Sequence, residues 1–319
     1  MSHEGGVGSF SELQHLLQLS YSTNPEDQQR AAIDMAHLVE GVSVFPAVSF
    51  GPISHALCKL VPSTNRTVAS YSARAMKLLL LDDALRPQAV SAGVPAVVCA
   101  AVDQWQDEVL CLRELLGALQ TLTWDKLSVK SVLQTDIIKN VVDFAQAPDQ
   151  EVCVLAMAVL ANILSYSDTL LLTDSTSLDV LGSLALPVVL ASLRSEHQTP
   201  QRFYACSAMA NASANPILAE VLKDSGALQL ARDIETQSLR NLHILGSRVG
   251  DCAQATLYRL SDRKEGEAKF GAMKFKFKWG VKPVMELSLA TFKQHSNVIV
   301  GCFVLWLLVV LYSFSPVIF

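Results

Sequence analysis

The chain has few charged residues and lacks the short motifs that usually mark a catalytic or cofactor site. Only 17% of its 319 residues are Asp, Glu, Lys or Arg, whereas 50% are hydrophobic. It contains no P-loop, no HExxH, no GxSxG and no Gly-rich GxGxxG turn after a strand. These motifs hold phosphate, zinc, a nucleophilic serine or a dinucleotide. The sequence therefore predicts a protein that is not an enzyme and binds no cofactor.

Cysteine and histidine are too scattered to form a recognisable metal site. No CxxC occurs, and no His/Cys group has the spacing of zinc ligands. An odd number of widely separated cysteines is typical of buried free thiols in a reducing compartment. The seven cysteines are Cys58, Cys99, Cys111, Cys153, Cys206, Cys252 and Cys302. We therefore predict no metal site and no disulfide framework.

Charge is distributed unevenly along the chain. Residues 269–319 carry six lysines and one acid, Glu286, a charge of +5, so residues 1–268 must carry −10 to give the net −5. An acidic body disfavours nucleic acid as a partner, and a basic tail is typical of contact with an anionic surface. The N-terminus "MSHEGGVGSF" has neither the basic nor the apolar region of a signal peptide.

The strongest physical signal is an uncharged apolar run near the C-terminus. Residues 298–314 read "VIVGCFVLWLLVVLYSF", and twelve of the seventeen are Val, Ile, Leu or Phe. At 1.5 Å per residue, a helix over 298–319 is about 33 Å long, enough to cross a hydrocarbon core. We therefore expect a C-terminal transmembrane tail anchor at 298–319. Lysines on its N-terminal flank predict that the body faces the cytosol.

A basic and aromatic strip precedes the anchor, within a segment that we place at 263–297. In an extended chain its lysines project to one side and its aromatic rings to the other. Such residues settle at lipid headgroups, and the strip is expected to contact an anionic membrane surface. A solvated linker, an edge strand, or a strip folded back onto the acidic body are the alternatives. The predicted contact residues are Lys274, Phe275, Lys276, Phe277, Lys278, Trp279 and Lys282.

The body repeats one unit. Six stretches open with a polar turn and continue as a long helix of small and apolar residues, with starts mostly about 40 residues apart. They begin at Asn24, Ser63, Trp105, Ala147, Thr199 and Ser238. Shorter amphipathic helices lie between them, and "LLLTDSTSLDVLG", 170–182, is predicted as a lengthened loop. Because no unit can bury its apolar face alone, neighbouring units must stack.

These units resemble armadillo repeats. "SAGVPAVVCAAVDQWQDEVLCLRELLGALQTLT", 91–123, has the Gly-x-Pro entry to a second helix followed by a long third helix. "PDQEVCVLAMAVLANIL", 148–164, and "TPQRFYACSAMANAS", 199–213, resemble the third-helix signature with its Asn. The resemblance covers roughly residues 10–262, after a short N-terminus at 1–9. It implies an all-α, right-handed superhelix of about six repeats, whose third helices line a groove for extended peptides or partner helices.

Aligned third helices place one residue of each repeat where peptide-binding members carry Asn. These residues are His37, Leu78, Thr121, Asn162, Asn211 and Arg259. The Trp that members pair with this Asn, one turn earlier, is replaced by Ala158 and Ser207, so binding of nuclear-localisation peptides is not carried over. We predict a central groove for a partner at Thr121, Asn162, Asn211 and Arg259. The alternative is that both Asn side chains bridge adjacent helices.

Together these features predict a membrane-anchored scaffold that recruits cytosolic proteins to an organelle. The endoplasmic reticulum is favoured because its thinner bilayer suits a short span and the distal tail lacks basic residues. The mitochondrial outer membrane is the alternative location. The alternative function is a co-chaperone, because some armadillo-like solenoids grip an Hsp70-type chaperone and speed nucleotide exchange.

Overall fold

The structure, a computed structural model, describes residues 10–40, 47–167, 175–194, 200–240 and 244–261. Helices make up the regular structure of these ranges, and no strand occurs in them. The predicted anchor at 298–319 and the strip residues Lys274 to Lys282 lie outside the described residues.

The described residues contain the following helices, given in chain order. They are α1 Phe10–Ser20, α2 Pro25–Glu40, α3 Ala47–Leu60, α4 Arg66–Leu79, α5 Arg86–Ser91, α6 Val94–Gln104, α7 Val109–Leu122, α8 Lys126–Leu133, α9 Ile137–Phe144, α10 Gln150–Leu164, α11 Ser175–Val180, α12 Leu186–Arg194, α13 Pro200–Ala212, α14 Pro216–Asp224, α15 Ala227–Arg240 and α16 Ile244–Leu260. A π-helical turn, Leu181–Ala185, joins α11 to α12.

Six long helices, which we call the stack helices, pack side by side in chain order. They are α2, α4, α7, α10, α13 and α16, and each packs against the next. The shorter helices α6, α9 and α12 pack against α7, α10 and α13 respectively. The predicted stacking of about six units is therefore confirmed. The stack is all-α, as the sequence predicts.

Local sequence explains where the helices begin. Asn65, Asp125, Asp149 and Asn215 each precede a helix and accept hydrogen bonds from its first backbone N–H groups. Gly93 has a φ of 75° before α6, a backbone conformation that favours glycine. The polar turns before α4 and α10 are therefore helix caps, whereas Glu108 before α7 makes no side-chain cap hydrogen bond.

Two predicted boundaries are wrong. Part of 170–182 is helical, because α11 and the π turn bury Leu178, Leu181 and Ala185 in the core. The polar turn predicted to open the sixth stretch at Ser238 is helical, because α15 buries Ile234 and continues to Arg240, and the sixth long helix begins at Ile244. In both places, polar residues on one face of an amphipathic helix resemble a turn in the sequence.

One described helical stretch, Ser177–Arg194, has the length and apolar composition of a membrane span. Half of it is buried within the fold, and Leu186, Val189 and Leu193 are core residues. Such burial is typical of a core helix.

Candidate partner-binding surface

The predicted groove residues lie on four consecutive stack helices. Thr121 is on α7, Asn162 on α10, Asn211 on α13 and Arg259 on α16. Because these helices pack in that order, the four residues form one row across the stack. We call these four residues the ladder row, and the side of the helices that carries them the ladder side.

Side chains of the ladder row bridge neighbouring stack helices. The Asn162 amide Nδ2 donates to the Gln120 carbonyl at 3.2 Å and to Thr123 Oγ1 at 3.3 Å. The Asn211 amide Nδ2 donates to the Ala161 carbonyl at 2.9 Å, and the Arg259 guanidinium donates to the Ala210 carbonyl. Each accepting carbonyl belongs to the residue just before the row position on the preceding helix. The structure therefore shows the bridging role that the sequence left as an alternative.

Burial limits what the ladder row offers directly to a partner. Asn162 is 0% exposed, Asn211 and Thr121 are 2% exposed, and Arg259 is half-buried. The Thr121 hydroxyl donates to the Gly117 carbonyl of its own helix at 2.9 Å. A role for these side chains in gripping a partner stays a prediction, and it requires exchange of the hydrogen bonds just described.

Small residues stand one turn before the ladder row. They are Gly117, Ala158 and Ser207, and all three are buried. The aliphatic stem of Lys77 crosses Gly117, since a Cβ at that position would lie 2.7 Å from Lys77 Cδ. Lys77 also forms an ion pair with Glu114 on the next helix. Because small residues stand at these positions where peptide-binding armadillo repeats carry Trp, neighbouring stack helices can come into close contact.

The ladder side of α10 is buried along its length. At about 100° per residue, Val154, Ala158, Asn162 and Ser165 lie within roughly 80° of one another. They face away from Cys153, whose thiol donates to the Ala145 carbonyl at the end of α9. Their exposed fractions are 3%, 0%, 0% and 3%.

An ionic cluster that the sequence analysis did not single out joins α7 to α10. Arg113 donates to Asp149 through Nε at 3.2 Å and Nη2 at 2.6 Å, and its Nη1 lies 3.1 Å from Glu151 Oε2. Asp149 also accepts the Val152 N–H at 2.9 Å as the cap of α10. The Arg113 guanidinium and the Val152 N–H hold the pKa of the Asp149 carboxyl below its usual value. Because Arg113 and Asp149 are 36 residues apart, no local sequence pattern predicts that they pair.

A second polar cluster lies at the C-terminal ends of the stack helices. The buried Arg86 side chain donates to the Leu80 carbonyl at 2.9 Å and lies 5.6 Å from the centre of the Trp124 ring. The Tyr166 hydroxyl donates to the Trp124 carbonyl, and burial raises the pKa of Tyr166 to about 12. These contacts satisfy helix-end carbonyls and have a structural role.

The described cysteines are free thiols. Burial raises the pKa of Cys58 and Cys99 to about 11 and, with nearby carboxylates, that of Cys111 to about 12. Such thiols stay protonated at neutral pH and react weakly. Among the residues that the structure covers, no group of three His, Cys, Asp or Glu side chains is arranged to hold a metal ion.

No protein-family model and no curated protein matches the chain. Solved structures match it closely in fold. An engineered protein superposes with a TM-score of 0.65 at 22% identity, covering 79% of this chain and 97% of its own. A designed armadillo repeat protein gives 0.64 at 17% identity, covering 78% and 99%. Another, solved in complex with the peptide (KR)4, gives 0.63 at 16% identity, covering 77% and 99%. The chain therefore folds as an armadillo-like helical solenoid.

Proposed function

We propose that this protein is a membrane-anchored scaffold whose solenoid binds an extended segment of a cytosolic partner. The observation that carries the proposal is the stack of six long helices, four of which carry a row of polar side chains on one side. Solenoids with this architecture offer long surfaces to extended partners. The likeness to a designed armadillo protein solved with (KR)4 supports a peptide as the ligand. Such folds generally act as scaffolds, and we propose no catalytic role.

Charge favours a basic partner. Residues 1–268 carry −10 (the net −5 less the +5 of residues 269–319). Glu114 and Glu151 lie seven and eleven residues before the ladder positions of their helices, within roughly 20° of the same face at 100° per residue. Glu151 is partly exposed, with 41% of its side chain accessible. Complementary charge of this kind steers a basic segment to the surface and fixes its register.

The binding proposal is tested with the peptide (KR)4 as a fluorescent probe. The full chain is reconstituted in neutral-lipid nanodiscs, so that the probe finds no anionic lipid, and binding is followed by fluorescence polarisation. We expect saturable binding that Glu151→Lys weakens at least tenfold. Asp143→Lys on α9 is the matched control, because Asp143 is an exposed acid on a different layer. Equal loss in both variants, or no loss in either, contradicts binding at the ladder side.

We further propose that residues 298–319 anchor the protein in the endoplasmic reticulum with the solenoid in the cytosol. The uncharged run at 298–314 supports this. The full chain should remain in the membrane pellet after carbonate extraction, and deletion of 298–319 should release it. An N-terminal fluorescent fusion should mark the endoplasmic reticulum. A diffuse signal contradicts the anchor, and a mitochondrial signal contradicts the choice of membrane.

A further inference from the structure

We propose that the basic strip of this chain, residues 274–283, is the resident ligand of the ladder side and that a partner must displace it. The inference rests on the proposed function, because it assumes that the ladder side accepts an extended basic segment. It makes the scaffold self-inhibited until a competing segment arrives.

Burial on the ladder side motivates the proposal. The helices α7 and α13 pack on the flanks of α10, and α9 packs near Cys153. The remaining side, which carries Val154, Ala158, Asn162 and Ser165, is no more than 3% exposed. Side chains buried to this extent have other atoms within contact distance on every side. A segment lying along the stack supplies such cover, and we assign it to the strip.

The strip can reach this position. Lys274 lies thirteen positions after Ser261, which follows α16. An extended chain covers about 3.3 Å per residue, so this connection spans up to about 43 Å. Packed helices lie about 8–10 Å apart, which places α7 about 30 Å from α16 across three spacings. The ten residues of the strip themselves span about 33 Å.

The strip also fits the chemistry of the surface. In an extended strip, Phe275, Phe277 and Trp279 project to one side and Lys274, Lys276 and Lys278 to the other. One turn before the ladder row, Ala158 and Ser207 are small, so no large side chain of α10 or α13 lies where the aromatic rings would pack, whereas Gly117 is already covered by the Lys77 stem. Glu114 and Glu151 are already paired with Lys77 and Arg113, so the lysines are attracted by the overall negative charge of the body and not by these two carboxylates. The opposite charges of tail and body, +5 and −10, favour the same pairing.

Displacement would have a defined result. A partner segment that occupies the ladder side frees the strip, which lies next to the proposed anchor. Its lysines and aromatic side chains are then available to lipid headgroups. The strip thus has one position in the resting protein and another in the partner complex.

The first test measures competition in the full chain, in the neutral-lipid nanodiscs described above. The triple variant Lys274→Glu, Lys276→Glu, Lys278→Glu should bind the (KR)4 probe at least tenfold more tightly than the wild type. The matched control is Lys126→Glu, Lys130→Glu, Lys139→Glu, which reverses three exposed lysines on α8 and α9 and brings acid no closer to the ladder side. An equal gain in both variants, or none in the strip variant, overturns the inference.

The second test locates the strip without the probe. Benzoylphenylalanine placed at position 277 of the full chain is photoactivated, and the products are identified by mass spectrometry. Products that join position 277 to α10 or α13 support the inference, and products with lipid alone overturn it. If these protein products form while the probe binds neither wild type nor variant, the proposed function fails and the self-contact stands. If only lipid products form and the wild type and the strip variant bind the probe equally, the self-contact fails and the proposed function stands.

Discussion

At the scale of single residues, Asn162, Asn211 and Arg259 of the ladder row are donors that hold neighbouring helices together. Asn162 illustrates the point, because its amide is fully buried and donates to Gln120 on α7 and to Thr123 just after α7. A buried carbonyl that loses its hydrogen-bond donor stays out of reach of water. The free-energy cost of its desolvation is then no longer offset. The ladder row therefore contributes to stability whatever it binds.

Replacing Asn162 with Ala should lower the free energy of unfolding by roughly 1–3 kcal/mol, because the Gln120 carbonyl loses a buried donor. Urea unfolding followed by far-UV circular dichroism measures the change. Asn140→Ala is the control, since Asn140 makes a single 2.9 Å bond to Asp103 near the surface. A smaller loss for Asn162→Ala than for Asn140→Ala would contradict the bridging role.

The Asp149 carboxyl should make stability depend on pH in the acid range. Because its pKa is lower in the folded state than the ~3.9 of a free Asp, its contribution is present above ~3.9. That contribution is lost as the pH falls through the lower, folded value. Asp149→Asn, which can still cap α10, should reduce the fall in thermal midpoint between about pH 5 and pH 2. Arg113→Gln should do the same, and an unchanged fall in both variants argues against this pairing.

At the scale of elements, contacts between consecutive stack helices depend on side chains that cross the interface. The Lys77 stem lies over Gly117, and its ammonium pairs with Glu114, so α4 and α7 share one interlocked contact. A glycine inside a helix normally costs about 0.5–1 kcal/mol relative to alanine. At position 117, the absence of a side chain leaves space for the Lys77 stem.

Gly117→Ala should therefore not increase the free energy of unfolding of the wild-type chain, as a Gly→Ala change in a helix usually does. It should increase that free energy once Lys77 is replaced by a shorter residue. We expect Gly117→Ala to be neutral or destabilising alone, and to stabilise by about 0.5–1 kcal/mol in the Lys77→Ala background. A double-mutant cycle of urea unfolding free energies measures the coupling. Additive effects would show that the two residues are independent.

The sequence predicts the elements unevenly. The six stack helices are recognisable because small and apolar residues continue for three to four turns after a polar cap. The helices α8 and α14 were not singled out, because eight or nine residues give too few turns to establish a period. The bridges of Asn162 and Asn211 were left open, since their acceptors lie 42 and 50 residues away. The presence of Asn at these positions does not by itself indicate which group accepts the hydrogen bond of its amide.

At the scale of the solenoid, stability should fall from the middle toward the N-terminal end. The helix α10 is buried from Val152 to Leu164, whereas α1 has exposed residues throughout. Among the described helices, α2 and α3 alone make substantial contacts with α1. In stacked repeats, each unit depends on its immediate neighbours.

Hydrogen exchange measured by mass spectrometry should therefore be slowest in α10 and fastest in α1. Local opening frees few buried contacts at the end of the stack and many in its centre. The strip variant Lys274→Glu, Lys276→Glu, Lys278→Glu should accelerate exchange in α10 and α13 more than in α2. Uniform exchange across these helices would contradict both expectations.

The side-chain bridges that Asn162, Asn211 and Arg259 donate run in one direction, with the donor on the later helix and the carbonyl on the earlier one. A backbone cut between α10 and α11 would therefore create two unlike ends. The N-terminal fragment would present the Ala161 carbonyl, and the C-terminal fragment would present the Asn211 amide. Such fragments can reassemble head to tail, whereas two copies of the same fragment lack the matching end.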